Sequence, residues 1–281
     1  NKIRVKYSKT ETVADVNGIR HPIVREVLKK FKIKGALEIS SNADIPSNTG
    51  LGSSSSFTVG LLHNLYTKFG RYVTKNQLAD EACDIEINRL KEPIGKQDQY
   101  AASFGGLNVI KFNPSGDVIL EPLHLTKETH KALQNNLLMF YTGVQRKTSS
   151  ILSEQKKNMR LKNKFEILKK MVAFVWELRD ALYQQDFHEF GKILHKNWLL
   201  KKQLSSSISN DIIDKFYNKA LKNGAVGGKL LGAGGGGFLL FYCYERNHDK
   251  LRKAMSPLRE LKFKLDNEGS KVVYIGDEYN N

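Results

Sequence analysis

The chain has 281 residues, 40% of them hydrophobic, and carries 45 Lys plus Arg against 29 Asp plus Glu, a net charge of +16. That composition supports a real core, excludes a wholly disordered chain, and favours anionic partners: phosphorylated metabolites, nucleic acid or an acidic membrane surface. No apolar run is long enough to span a bilayer, no signal-peptide pattern opens the chain, and Cys83 and Cys243 lie far apart in apolar segments, with neither metal spacing nor a disulfide framework.

A reducing cytoplasm fits that cysteine usage. The basic residues are spread along the chain, with a modest cluster between Lys156 and Lys170 that reads as a solvated helix face. No arginine-rich arm or nucleic-acid motif accompanies the charge, so neither nucleic acid nor membrane is expected as a partner.

In chain order, Ile3, Val5 and Tyr7 alternate with basic residues and predict a strand. Because that pattern is already under way at the first residues, a further N-terminal piece is expected to precede them. Pro22 suits the first turn of a helix to about Phe31, with Ile23, Val27, Leu28 and Phe31 as its apolar stripe. A short strand around Leu37 and Ile39 leads into Pro46-Ser47-Asn48-Thr49-Gly50-Leu51-Gly52-Ser53-Ser54-Ser55-Ser56, and Phe57, Leu61, Leu65 and Phe69 then mark a helix. Thr74 to Gln77 reads as a capping box opening a helix to about Leu90. Asn113 to Asp117 joins two apolar segments in a hairpin pattern, and Leu137 to Tyr141 is a short strand. Residues 149–222 are helical almost throughout, with breaks near Gln185 and near Ser205 to Ser209. Leu168, Met171, Val172, Val175, Leu178 and Leu182 form a stripe there, and Trp176 and Trp198 read as core or near-core. Gly227 to Gly237 is glycine-rich and runs into a strand from Phe238 to Tyr244; a helix over Leu251 to Leu261 and a last strand over Val272 to Ile275 complete an α+β pattern.

Three features carry chemistry. Gly50 and Gly52 let backbone approach a ligand closely, and the helix after them offers unpaired N–H groups and serine hydroxyls to an anion; a serine-rich cap after a turn is the plainer reading. The segment matches neither the Walker loop nor the dinucleotide fingerprint. On a helix of about 100° per residue, Glu86 falls on the apolar face formed by Leu78, Ala79, Ala82, Cys83, Ile85 and Leu90. A buried carboxylate is costly unless paired, protonated or metal-bound, so Glu86 is either functional, bridged to a core arginine, or slightly mis-phased. The run from Gly232 is either a flexible hinge or a backbone cradle for phosphate.

Taken together, Pro46–Ser56, Gly95-Lys96-Gln97-Asp98-Gln99 and Gly232–Gly237, in that order and with Glu86 between the first two, resemble the GHMP kinases, the family named for galactokinase, homoserine kinase, mevalonate kinase and phosphomevalonate kinase. The resemblance covers almost the whole chain. Gly95 to Ala102, Gly105-Gly106, Thr142-Gly143 with Arg146, and His21 to Glu26 look most like its sugar 1-kinases, in particular those acting on D-glycero-D-manno-heptose 7-phosphate. The resemblance implies an N-terminal ATP-binding domain over residues 1–132, like a domain of ribosomal protein S5, and a ferredoxin-like C-terminal domain over 133–281. It implies ATP and a phosphorylated sugar as substrates, Mg²⁺ as cofactor, and allows a homodimer. Gly50, Leu51, Gly52, Ser53, Ser54 and Ser55 would wrap the ATP phosphates; Ser54 and Glu86 would hold Mg²⁺; Asp98 would be the catalytic aspartate. Gly232, Ala233, Gly234, Gly235 and Gly236 would support the phosphate and substrate region, with Lys96, Gln97 and Arg146 as sugar-phosphate contacts. Two departures stand out. The family's glycine-rich segment near the start is absent from these residues, and Asn48 stands where a small residue is commoner.

Overall fold

The computed structural model describes residues 2–46, 49–144 and 148–276. The chain divides into two compact units, one of Asn1–Pro46, Gly52–Gly106 and Asp266–Asn281, the other of Ser47–Leu51 and Leu107–Leu265. This division by packing falls at Gly106, and the segment from Leu107 onward packs with the elements C-terminal to it.

The first unit opens with β1 (Ile3–Lys6) and β2 (Thr10–Val13), paired antiparallel, followed by α1 (Pro22–Lys30) and β3 (Leu37–Ser40), which runs parallel to β1. Ile3 and Val5 point into the core while Arg4 faces out, as period-two alternation requires. Then come α2 (Ser53–Lys68), α3 (Lys75–Cys83), a π-helical turn over Asp84–Arg89, and α4 (Gln97–Phe104). Val24, Val27, Leu28, Val59, Leu62, Leu65, Leu78 and Ile85 close the core against the sheet. Thr74 caps α3 by accepting from Gln77 N–H at 3.1 Å. The Gln77 side chain completes no capping box and donates instead to Tyr66 and Glu81.

The last part of the chain returns to this unit. Gly106 N–H donates to Asp266 O at 2.6 Å, and Lys75 Nζ donates to both Phe104 O and Glu268 O. The backbone of Gly269 lies so close to that of Gly105, the residue that ends α4, that neither position has room for a Cβ. The strand expected over Val272 to Ile275 does not form. The segment joins no sheet among the described residues, and Tyr274 is 82% exposed.

The second unit begins with the expected hairpin, β4 (Asn108–Phe112) and β5 (Val118–Pro122), and continues through α5 (Lys127–Asn135) and β6 (Leu137–Tyr141). Four helices come next: α6 (Thr148–Asn158), α7 (Lys162–Tyr183), α8 (Phe187–Lys202) and α9 (Asp211–Lys222). After them stand β7 (Ala225–Leu230), β8 (Phe238–Cys243), α10 (His248–Met255) and the short β9 (Arg259–Glu260). The strands order β7-β8-β6-β9, all antiparallel. This is the arrangement of a ferredoxin-like β-α-β-β-α-β unit, with helices connecting the first strand to the second and the third to the last.

Three expectations fail here. The helical run has a further break at residues 159–161. The final helix ends at Met255, and the chain re-enters the sheet at Arg259, inside the helix expected to reach Leu261. Helix α7 buries Leu182 and partly buries Leu168, Met171 and Leu178 together with Ile167 and Phe174, but leaves Val172 61% exposed and Val175 and Trp176 exposed as well. Apolar periodicity shows that a helix has a greasy stripe, not which part of it meets a neighbour. Arg179 lies over the Trp176 ring, 4.8 Å from its centroid. Trp198 is fully buried, as expected.

Candidate active site

Gly52 ends the glycine-serine loop in the left-handed conformation, φ +67°, and is the N-cap of α2. Its carbonyl accepts the first helical bond, from Ser56 N–H at 2.9 Å. A residue with a side chain would be strained there. Gly52 also has a neighbour: a Cβ added to it would stand 3.4 Å from Cβ and Cγ of Asp98. The first turn of α2, with backbone N–H groups that no earlier residue of the helix can pair, is therefore beside the Asp98 carboxyl. Asp98 lies in the first turn of α4 and is exposed, with Gln97 Nε2 3.4 Å from its Oδ1.

Glu86 lies in the π-helical turn that continues α3. Only 1% of it is exposed. A π-turn inserts an extra residue into the helical register and rotates the residues C-terminal to it about the helix axis. The Glu86 carboxylate is held by hydrogen bonds from the Ser54 hydroxyl to Oε1 and from Gln99 Nε2 to Oε2, the latter 2.7 Å long. The core arginine considered as a partner is not among these, and both donors are neutral. A buried carboxylate with neutral donors, one of them a hydroxyl on the first turn of a helix, is a hard oxygen donor set that suits Mg²⁺. Among the described residues no group of three or more His, Cys, Asp or Glu could enclose a metal. Mg²⁺ fits a two-residue set because it retains waters and takes phosphate oxygens as ligands.

The neighbours of this cluster are braced. Tyr100, in the same helix as Asp98, donates to Asp80 Oδ1 at 2.5 Å, and burial with the nearby Asp80 raises its pKa. Cys83, one turn before Glu86, is pushed up to about 12 by burial, which outweighs the lowering by Lys96.

The remaining candidates in the second unit form their own cluster. A Cβ on Gly232, φ +73°, would stand 2.5 Å from Gly50 Cα, so these two backbones are in contact. The glycine run is not a free hinge. Gly235 N–H donates to Ile208 O, Gly237 N–H to Val144 O, and Thr142 Oγ1 to Gly237 O. Lys201 Nζ donates to Gly232 O at 2.5 Å. Leu51 belongs to this unit; Ser53 and Ser55 belong to α2 in the first. Ala233 packs against the second unit's core. Lys96 precedes α4 as its N-cap. Arg146 lies outside the described residues, as does Asn48. The sequence places Gln99 within the motif around Asp98 without indicating a role for it, and does not show the π-turn. A glutamine one residue after an aspartate has no periodicity to betray it, and a single extra residue in a helical turn leaves no composition signal.

Comparison with known proteins matches the GHMP kinases N terminal domain over residues 19–106 and the GHMP kinases C terminal domain over residues 178–260. The D-glycero-alpha-D-manno-heptose 7-phosphate kinase of Campylobacter jejuni is 31% identical over 234 residues, 83% of this chain and 69% of that protein. The galactokinase of Pyrococcus furiosus is 29% identical over 249 residues, 79% of this chain and 67% of that protein. Among solved structures, a putative sugar kinase from Campylobacter jejuni superposes with a TM-score of 0.71 at 26% identity, covering 95% of this chain and 82% of its own. With both domains matched, and Ser54, Glu86 and Asp98 all inside the first, the chain belongs to the GHMP kinase family and is a sugar kinase of that type, a phosphotransferase with ATP as its co-substrate.

Proposed function

We propose that the chain transfers the γ-phosphoryl group of ATP to the anomeric hydroxyl of D-glycero-D-manno-heptose 7-phosphate, giving the 1,7-bisphosphate, with Mg²⁺ held by Ser54 and Glu86. The observation that carries the site assignment is the proximity of Asp98 to Gly52 at the N-terminus of α2, the helix whose Ser54 bonds to the buried Glu86. A proton acceptor and an anion-binding helix terminus thus stand side by side. In-line phosphoryl transfer asks a protein for that: positioning and charge neutralisation more than covalent work.

In this reading Gly50 to Ser55 receive the phosphates on backbone N–H groups and hydroxyls. Bound Mg²⁺ would neutralise phosphate oxygens. Asp98 orients the anomeric hydroxyl and takes its proton onto a carboxylate oxygen as that hydroxyl oxygen bonds to the γ-phosphorus and the bond from the γ-phosphorus to the β–γ bridging oxygen breaks, releasing ADP. An anomeric hydroxyl is more acidic than an ordinary alcohol, which suits a carboxylate base. Lys96 and Gln97 are proposed contacts to the sugar phosphate; Arg146, outside the described residues, is proposed on its residue type alone, arginine being suited to a bidentate phosphate bond. The Campylobacter relative and the net charge of +16 support a phosphorylated sugar.

The test is ATP turnover with heptose 7-phosphate, the free heptose, galactose and fucose. Turnover confined to the 7-phosphate is the expected result. The second reading, a kinase of unphosphorylated sugar such as galactose, draws on the similarity to the Pyrococcus galactokinase; equal or better use of free galactose would establish it in place of the first.

A further inference from the structure

Gln99 is fully buried. Its Nε2 donates to Glu86 Oε2 at 2.7 Å, while its Oε1, equally shut off from water, has no hydrogen-bond partner among the described residues. A half-satisfied buried amide is a poor core residue, since leucine or methionine would fill the same space without stranding a carbonyl. What the amide supplies that they cannot is one N–H aimed at Glu86. The opposite amide orientation would set Oε1 against a carboxylate oxygen, acceptor to acceptor, so a single orientation serves an ionised Glu86. The Ser54 hydroxyl takes the other carboxylate oxygen. Between them the two donors fix the plane of the Glu86 carboxyl. Gln99 is also covalently next to Asp98, at the start of α4.

We propose that Gln99 is a positioning residue that holds the Glu86 carboxylate in the orientation for divalent-cation binding and ties that carboxylate to the helix carrying Asp98. The inference rests on the reading of Glu86 as a metal ligand. Residues that orient a metal ligand typically contribute a factor of about 10 to 100 in metal affinity.

The experiment titrates the full chain with Mn²⁺ in the presence of a non-hydrolysable ATP analogue, following the metal by its electron paramagnetic resonance, and measures analogue binding separately without divalent metal. Gln99→Met, of similar volume but without a donor, is expected to weaken Mn²⁺ binding by about 10- to 100-fold and to leave metal-free analogue binding unchanged. The double variant Glu86→Gln with Gln99→Met is expected to bind Mn²⁺ no more weakly than Glu86→Gln alone, because Gln99 acts through Glu86. Gln99→Ala, which cannot clash, serves as a second variant, with the thermal transition of each recorded to establish folding. If folded Gln99 variants bind Mn²⁺ as the parent does while Glu86→Gln loses it, the role of Gln99 is overturned and the metal reading stands. If Glu86→Gln itself binds Mn²⁺ normally, the metal reading fails and this inference falls with it.

Discussion

Glu86 is a carboxylate inside a core, held by a serine and a glutamine and, among the described residues, by no cation in its hydrogen-bond set. Removing its charge is therefore expected to cost function more than stability. Glu86→Gln keeps the shape and relieves the buried charge, so its melting temperature should equal or exceed the parent's, while the Mg²⁺ concentration needed for half-maximal turnover rises at least about tenfold. Turnover against Mg²⁺ together with a thermal scan checks both halves. Asp98→Asn keeps nearly the same contacts with Gly52 but cannot accept a proton. A fall in kcat of roughly two to four orders of magnitude is expected, with the KM for ATP moving much less; normal kcat in steady-state assays with the phosphorylated heptose would remove Asp98 from the mechanism. The two cysteines mark the opposite case, buried groups without chemistry. Burial pushes Cys83 up to about 12 and Cys243 up to about 11. At pH 8 neither supplies thiolate, so the native protein should resist a thiol-specific disulfide reagent that modifies both after unfolding.

At the scale of elements, the glycine-serine loop shows why glycine stands where it does. At Gly52 the left-handed backbone strains any side chain, and a Cβ would already stand 3.4 Å from Asp98, so that the added methyl groups of a valine would crowd its carboxyl. Gly52→Val is expected to lower kcat by displacing Asp98, and to lower stability by about 1–2 kcal/mol from backbone strain. At Gly232 the obstacle is the backbone of Gly50, which cannot give way as a side chain could. Gly232→Val is accordingly expected to lower the thermal transition more than Gly52→Val does, a ranking that calorimetry on the two variants reads directly. The π-turn over Asp84–Arg89 belongs to the same scale. Periodicity predicts a continuous α-helix from Thr74 to Leu90; the extra residue in the turn is a departure from local regularity at the place where the buried carboxylate is presented.

For the whole molecule, pH enters through histidines held neutral by the fold. His21 caps α1 by accepting from Val24 N–H through Nδ1, between the rings of Tyr7 and Phe57, and burial lowers its pKa. Burial likewise lowers His63, which bonds to Ser270, and His195, which bonds to Tyr217. A histidine whose folded pKa lies below its unfolded value near 6.5 takes up its proton more readily when the chain unfolds. Their stabilising contribution is complete above about pH 7 and is lost as pH falls from the unfolded value toward the depressed folded ones. Denaturant midpoints should therefore decline between about pH 7 and pH 5, and His21→Gln, which retains an acceptor but does not titrate, should flatten part of that decline. The charge of +16 acts at this scale too. It raises the encounter rate with anionic substrates, so kcat/KM for ATP and a sugar phosphate should fall as salt rises, while kcat at saturation changes little.

Much of the architecture was legible in the residues. Strand alternation at Ile3 and Val5, the Pro22 helix start, the hairpin around Asn113 to Asp117 and the strand from Leu137 to Tyr141 derive from periods and turn chemistry, which are local and written in the chain. Ordered motifs were enough to identify the family, and the misplacement of Glu86 on an apolar face marked it as special from the sequence alone. Tertiary structure decided what depends on neighbours far apart in sequence. Periodicity could not tell that Val172 and Trp176 would face outward, nor that Val272 to Ile275 would form no strand, because both depend on which surface comes to meet them. The partners of Glu86 lie 32 residues back and 13 residues on. Only folding brings a serine hydroxyl and a glutamine amide onto one carboxylate, and only folding places Asp98 against the glycine that caps α2.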